Sequence, residues 1–442
     1  MSGKATEIRL LDFRSPPMRA FHMSWVAFFL CFFAWFGLAP LMPIVRREMG
    51  LTPQQVGWCI IGSVAITVLA RLGIGRLCDR FGPRRTYSVL LVLGAVPVMA
   101  VGLSWNFTSF LICRVLIGAI GASFVITQYH TSLMFASNCV GTANATTAGW
   151  GNLGGGVTQL FMPLIFAALV GTCGLSESAA WRVAMLLAGA ACAVTGVAYY
   201  LLTQDTPEGD LDASGRHEAE AGPSFWSVVR APRVLALFVV YGACFGIELT
   251  INNVAALYFV DYFPEFEAME ATAAVKTAGM LAALFGLMNL FARTLGGWIS
   301  DRLARRWGLP ARVWWLFAAL FGEGLALMLF SQMGVLWAAV VVLLGFSLFV
   351  QMSEGATFAV VPFVDRRALG TVSGIVGAGG NAGAVAAGFL FRGDLSWPTA
   401  LFVLGMLVTA ASFLALTVSL DRLTAGAADG TNAHMEAAGA AA

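Results

Sequence analysis

Charge is scarce in this sequence. Asp, Glu, Lys and Arg make up 11% of its 442 residues, where a soluble globular chain carries roughly 25%. So small a share means that most of the surface never meets water. The four histidines and eight cysteines stand singly, without C-x-x-C or any ligand spacing. That excludes a structural metal site and a disulfide framework, and the cysteines read as small buried hydrophobes. No basic run accompanies the net charge of +2, so no nucleic-acid partner is implied. There is also no nucleophile set beside a base, and no polar stretch long enough to form a catalytic domain. Neither an enzyme nor a cofactor is expected.

What fills the chain is hydrophobic: 59% of its residues, with a mean hydropathy of +0.80. Runs of about 20 apolar residues, the length that crosses a ~30 Å hydrocarbon core, recur along it. They lie at 22–44, 54–75, 87–104, 107–134, 141–170, 181–203, 233–260, 277–299, 313–331, 334–362, 370–391 and 397–420. Twelve such runs predict an all-α membrane protein surrounded by a lipid bilayer. With both termini placed in the cytoplasm, 18 of the 26 Lys and Arg fall in the tails and cytoplasmic loops, 5 fall outside and 3 lie within spans. That bias follows the positive-inside rule. The first twenty residues are polar and lack the apolar core of a cleavable signal, so the first span is expected to be retained. The short central loop and compact termini suggest a prokaryotic inner membrane, and the chain is expected to function as a monomer.

One polar stretch, 204–223, divides the spans six and six. The expected organisation is a first half over 1–203, a cytoplasmic linker over 204–230, a second half over 231–420 and a disordered Ala- and Gly-rich tail over 421–442. The halves repeat each other. "ARLGIGRLCDR" (70–80) sets against "ARTLGGWISDR" (292–302) at a constant offset of 222, matching Ala70 with Ala292, Arg71 with Arg293, Gly75 with Gly297, Asp79 with Asp301 and Arg80 with Arg302. Repeated six-span halves around a midplane site are the architecture of many secondary transporters.

"GRLCDRFGPRR" (75–85) carries Gly75, Asp79, Arg80, Gly82, Arg84 and Arg85. It resembles the loop motif of the major facilitator superfamily, with a degenerate copy ending in Asp301 and Arg302. The aspartate and the following arginines can form a charge relay that holds the halves in one state. They can equally be topogenic positive charge.

The stretch "TTAGWGNLGGGVTQLFMP" (146–163) contains the spacing of a dinucleotide-binding fingerprint, but no strand precedes it and no soluble βαβ unit holds it. On a helix, Gly149, Asn152, Gly156 and Gln159 share a face, and glycines there let helices pack closely. A second stretch, "GIVGAGGNAGAVAAGF" (374–389), puts Gly377, Asn381 and Gly388 on one face. The pair is similar to the two signature motifs of the nitrate/nitrite porter family, and "FGIELTINNVAALYF" (245–259) looks most like its assimilatory nitrate importers. That resemblance covers essentially the whole chain. It implies a major facilitator fold that carries nitrate or nitrite by alternating access.

Apart from Arg182 and Arg233 at span ends, Arg71, Arg114 and Arg293 are the Lys or Arg residues inside spans, where a charge costs about 2.5–3.5 kcal/mol on insertion scales. Arg71 and Arg293 lie eight residues before their loop aspartates, ~12 Å at 1.5 Å per residue. Nitrate is planar and monoanionic, and a guanidinium fork matches such an oxyanion. In the resembled family, arginines at these two positions clamp the substrate; the alternative is that each pairs with a buried acid such as Glu248 or Glu354. Arg114 reads as structural. The resemblance also implies that Tyr241 and Phe245 bracket the anion and that Asn152 contacts it. Gln128, Asn289, Asn381, Gly149, Gly156 and Gly377 are further pocket candidates.

Moving one negative charge inward against 100 mV costs about 2.3 kcal/mol. Import therefore needs two or more protons per anion, or exchange for an internal anion such as nitrite. Glu248, Glu323, Glu354 and His130 are the ionisable candidates within spans; Glu248, Glu354 and His130 are those weighed for proton coupling, Glu248 first, with a salt-bridge role equally open to it. A transporter of another small anion, such as a carboxylate, is the rival reading, and it leaves the glycine–asparagine motifs unexplained.

Overall fold

Proline opens many of the helices. Pro16, Pro53, Pro83, Pro232 and Pro310 occupy first helical positions, where a fixed φ suits the helix and the missing N–H has no intrahelical partner to lose. Thr52 adds a capping box with Gln55, and Asn106 adds another with Ser109. The computed structural model describes residues 3–39, 41–211, 224–269, 271–391 and 395–420. The expected tail, most of the expected linker and the side chain of Gln159 lie outside the described residues.

The spanning helices are α1 (Pro16–Phe36), α2 (Pro53–Phe81), α3 (Pro83–Ala100), α4 (Phe107–Gly118 and Ser123–Met134), α5 (Val140–Gly171) and α6 (Glu177–Leu202). They continue as α7 (Pro232–Tyr262), α8 (Ala271–Leu287 and Ala292–Trp307), α9 (Pro310–Ser331), α10 (Leu336–Val360), α11 (Leu369–Phe391) and α12 (Trp397–Ala415). Among the described residues, eleven helices are long and apolar enough to cross a membrane. The remaining one, α5, is 32 residues long, more than the length that crosses a ~30 Å hydrocarbon core. The arrangement is consistent with the twelve expected spans, and the chain is a multi-pass membrane protein.

Several boundaries differ from expectation, α1 and α2 among them. Helix α1 starts at Pro16 rather than at 22, and α2 runs on to Phe81 rather than stopping at 75. In both places hydropathy falls before the backbone ladder ends, because charged residues ride on helical turns beyond the apolar segment. Both α4 and α8 are broken by 3₁₀ turns, Ala119–Ala122 and Met288–Leu290.

Packing repeats with the sequence. Helices α1–α5, α3–α6 and α2–α4 associate within the first half, while α7–α11 and α9–α12 associate within the second. The halves meet along α2–α11 and α5–α8, which are equivalent pairs. Glycine makes these contacts possible: a Cβ on Gly75 would lie 2.2 Å from the Gly370 carbonyl oxygen, and one on Gly297 2.3 Å from that of Gly141. Substituting Gly75 by Val is expected to cost about 1–3 kcal/mol through overpacking. The loss should appear as a lower melting temperature of the purified protein. Gly388→Ala, whose Cβ would meet nothing within 4 Å, should leave the melting temperature unchanged or raise it.

Candidate functional site: two arginines on a ring stack

Arg71 of α2 and Arg293 of α8 are both fully buried, and the structure brings them to one place. Each guanidinium packs over the ring of Phe124 in α4, at 5.1 Å and 5.5 Å from its centroid. Arg71 also covers Phe245 at 5.2 Å. Tyr241 and Phe245, one turn apart on α7, stack with interplanar angle 7°, and Phe124 lies nearly parallel to both, at 12° and 10°. Phe358 closes the stack edge-on against Phe124 and Tyr241.

The two cations are held differently. Arg71 donates from Nε to the Gly121 carbonyl at 3.2 Å and from Nη1 to the Gly377 carbonyl at 2.5 Å. The 3₁₀ turn in α4 supplies the first of these acceptors. Nη2 has no partner, and Arg71 forms no ion pair with a carboxylate among the described residues. Arg293 instead pairs with Glu354 of α10, lies 4.0 Å from Glu248 Oε2 of α7, and donates to the Tyr241 hydroxyl at 3.0 Å. The alternative of an arginine paired with a buried acid is therefore realised at Arg293 and not at Arg71.

The other candidates gather around this pair to different degrees. Glu248 accepts from Asn289 at 2.6 Å and from Asn152 at 3.4 Å, so both amides face a carboxylate and keep an unpartnered carbonyl oxygen. Gly149 lies against α8, where a Cβ would sit 2.6 Å from the Asn289 carbonyl oxygen and 3.3 Å from Arg293. Gly377 borders both Arg71 and Phe124. Asn381 is buried with neither amide atom partnered. Gln128 donates to the Asn144 carbonyl at 3.1 Å and leaves its own oxygen unpartnered. Gly156 faces open space, with nothing within 4 Å of a Cβ.

His130 belongs elsewhere. Its Nε2 lies 2.8 Å from the Gln204 carbonyl, and its Nδ1 lies 2.5 Å from the Tyr199 hydroxyl. A carbonyl only accepts, so Nε2 carries the hydrogen and Nδ1 accepts from Tyr199. Both ring nitrogens are thus satisfied in the neutral form, inside a network with Ser24. The structure separates it from the arginine pair. Arg114 is structural, donating to the Trp35 carbonyl at 3.1 Å.

At the end of the bundle that carries the loop motif, the aspartates cap helices of the opposite half. Asp79 accepts from Gly370 N at 2.9 Å, Thr371 N at 2.8 Å and Thr371 Oγ1 at 2.6 Å, at the start of α11. Asp301 does the same to Gly141 N, Thr142 N and Thr142 Oγ1 at the start of α5, at 3.1, 2.6 and 2.7 Å. A carboxylate at a helix N-terminus satisfies free N–H groups and meets the positive end of the dipole. The expected charge relay takes another form here. Asp301 pairs with Arg312 at 2.6 Å rather than with Arg302, and Arg84 pairs with Asp210. Arg80, Arg85 and Arg302 are exposed. Gly82 adopts φ +80° between α2 and α3, a conformation that suits glycine alone.

A buried guanidinium without a carboxylate, beside a second one on a shared ring, has the chemistry to receive an anion. Comparison with known proteins agrees with that chemistry. The sequence profile of the Major Facilitator Superfamily matches residues 24–388. The High affinity nitrate transporter 2.5 of Arabidopsis thaliana is 40% identical over 88% of this chain and 76% of its own length. The chain belongs to the nitrate/nitrite porter family of that superfamily. The Nitrate/nitrite transporter NrtP of Picosynechococcus is 31% identical over 83% of each chain. Among solved structures, the human organic anion transporter MFSD10 superposes with a TM-score of 0.68 at 15% identity, covering 91% of this chain and 100% of that one. The E. coli fucose:proton symporter FucP gives 0.61 at 17%, with the same coverage. These two likenesses show the fold alone.

Three participants escaped the sequence analysis. Phe124 is one of 33 phenylalanines and carries no local signal. Arg312 lies beyond the repeat. The caps did have a signal, because each glycine-rich span begins with the same dipeptide, Gly141-Thr142 and Gly370-Thr371. Replacing Asp301 by Asn leaves Arg312 without its carboxylate and weakens the hold on α5. In a chain whose only remaining thiol is Cys139, two residues before Gly141, maleimide labelling should then speed up at least tenfold, equivalent to about 1.4 kcal/mol of lost closure.

Proposed function

We propose that this protein imports nitrate, and nitrite as a related anion, by alternating access coupled to protons. The observation that carries the reading is Arg71: buried, without a carboxylate, with Nη2 unpartnered, and sharing the Phe124 ring with Arg293. A flat monoanion fits that chemistry. Its oxygens can take two N–H groups of one guanidinium in the bidentate manner, and the Tyr241 hydroxyl adds a donor. The parallel rings of Phe124, Tyr241 and Phe245 favour a planar guest, and among the described residues no cation besides Arg71 and Arg293 packs over them, so a second negative charge would find no further partner there.

Arg293 gives the coupling. While Glu354 holds it, an anion arriving at Arg71 meets only one free guanidinium. Protonating Glu354 frees Arg293 to turn to the anion, so anion and proton bind together. Glu248, held by two amides at 4.0 Å from the same guanidinium nitrogen, supplies a second negative neighbour that favours proton uptake at this cluster. In this reading the end bearing Asp79 and Asp301 is cytoplasmic, in keeping with the distribution of Lys and Arg, both termini lie there, and the membrane is a prokaryotic inner membrane. The protein works as a monomer whose two halves, 1–203 and 231–420, rock about the site, and the two helix caps break and re-form as they do so.

Labelled nitrate uptake into proteoliposomes tests the reading. An acid-outside, inside-negative gradient should drive accumulation without internal nitrite, and Arg71→Gln should abolish it. Uptake that requires internal nitrite would make the protein an exchanger, and no uptake by folded protein would rule nitrate out. The coupling has its own signature. Nitrate affinity should fall as pH rises, because binding takes up a proton. Glu354→Gln should flatten that pH dependence while retaining binding.

A further inference from the structure

Glu323 of α9 is fully buried and lies outside the anion site. Its Oε2 is 2.5 Å from the Ser353 hydroxyl of α10, and its Oε1 has no hydrogen-bond partner. No ion pair joins it to a cation among the described residues. The same hydroxyl lies 2.8 Å from the Val350 carbonyl oxygen. A carbonyl only accepts, and a serine has one hydrogen to give. Both contacts are hydrogen bonds only when Ser353 donates to Val350 and Glu323 donates to Ser353. The geometry therefore places a proton on Glu323. An ionised carboxylate buried there without a cation would be far costlier.

Its surroundings agree. Cys244 of α7 faces both Glu323 and Ser353. The charged groups directed at it are acidic: Glu248 of α7 and Glu354 of α10. Arg293 of α8 is committed to Glu354, and α12, packed along α9, carries no titratable residue over Trp397–Ala415.

We infer that Glu323 is a second proton-binding site of the transport cycle, distinct from the anion site and linked to it through α10. Ser353 and Glu354 are consecutive, so α10 touches Glu323 with one residue and Arg293 with the next. When Glu354 releases Arg293, the movement of α10 that follows also withdraws the hydroxyl that receives the Glu323 hydrogen bond. The proton is taken from water on the outer side and returned to water on the inner side. This inference rests on the proton-coupled reading and gives it a stoichiometry. One proton at the Glu354 cluster leaves nitrate transport electroneutral, and a second at Glu323 makes each inward cycle carry one net positive charge.

Two measurements test it. In infrared spectra at neutral pH, the wild-type protein should show a protonated-carboxyl band that Glu323→Gln removes; an unchanged band overturns the inference whatever the transported anion is. In proteoliposomes at a fixed pH gradient, an inside-negative potential should stimulate wild-type uptake. Glu323→Gln should lose that stimulation while keeping gradient-driven uptake and labelled-nitrate counterflow. Retained stimulation in the variant overturns the inference. Loss of counterflow in both Glu323→Gln and Glu323→Asp does so too, because it assigns the residue to structure. Wild-type uptake that answers to neither gradient nor potential sinks the proton-coupled reading itself, and the infrared band still reports on Glu323.

Discussion

Keeping a guanidinium charged in the interior of a membrane protein is the constraint from which the rest follows. Insertion scales put its cost at about 2.5–3.5 kcal/mol, and this chain carries two such groups near one ring. Arg71 is stabilised without a counter-charge, by two backbone carbonyls: one at the 3₁₀ turn of α4, the other from Gly377 of α11. The faces of Phe124 and Phe245 complete its surroundings. Arg293 takes the opposite solution, a buried carboxylate. The asymmetry has a chemical consequence. Two unpaired cations would repel each other, and two paired ones would leave no charge for an anion; in the function proposed above, one of each leaves a single free cation and a second that a proton would release.

The same helices carry the site and the closure. Arg71 and Asp79 both belong to α2, Arg293 and Asp301 both to α8, and each aspartate caps the glycine-rich helix of the other half. A rigid helix of eight intervening steps joins each cation to its cap. Movement at the midplane is therefore felt at the loop-motif end. The small-residue contacts between α2 and α11 and between α5 and α8 are smooth enough for such movement, since glycine backbones interlock less than branched side chains do. Arg312 ties the second cap more firmly than the first, with its ion pair to Asp301 and its hydrogen bond to the Ser137 carbonyl at 2.8 Å. No equivalent pair accompanies the Asp79 cap among the ion pairs described.

Much was determined by the sequence alone. Hydropathy at span length fixes the helical membrane class, because a bilayer admits few other solutions. The 222-residue repeat pairs Arg71 with Arg293 and Asp79 with Asp301, and an arginine inside an apolar span has to be explained by function or by a partner. Tyr241, Phe245 and Glu248 share a helical face by their spacing, while the roles of Tyr241 and Phe245 come from the family resemblance alone. These features are local or periodic, and so they survive in one dimension.

Only the tertiary structure decided who meets whom. Phe124 comes to both arginines because α4 packs against α2 and its ring reaches α7 and α8, and nothing in "GASFVITQYH" marks that ring from its neighbours. Glu354 rather than Glu248 became the direct partner of Arg293, although either lay within reach by helical position. His130 was drawn into a satisfied network with Tyr199, and Glu323 was left with a serine. The aspartates cap helices of the opposite half, and Asp301 pairs with Arg312 rather than with an arginine of the loop motif. Charge tells a residue that it needs a partner, but burial and the crossing of helices far apart in sequence choose which partner it finds.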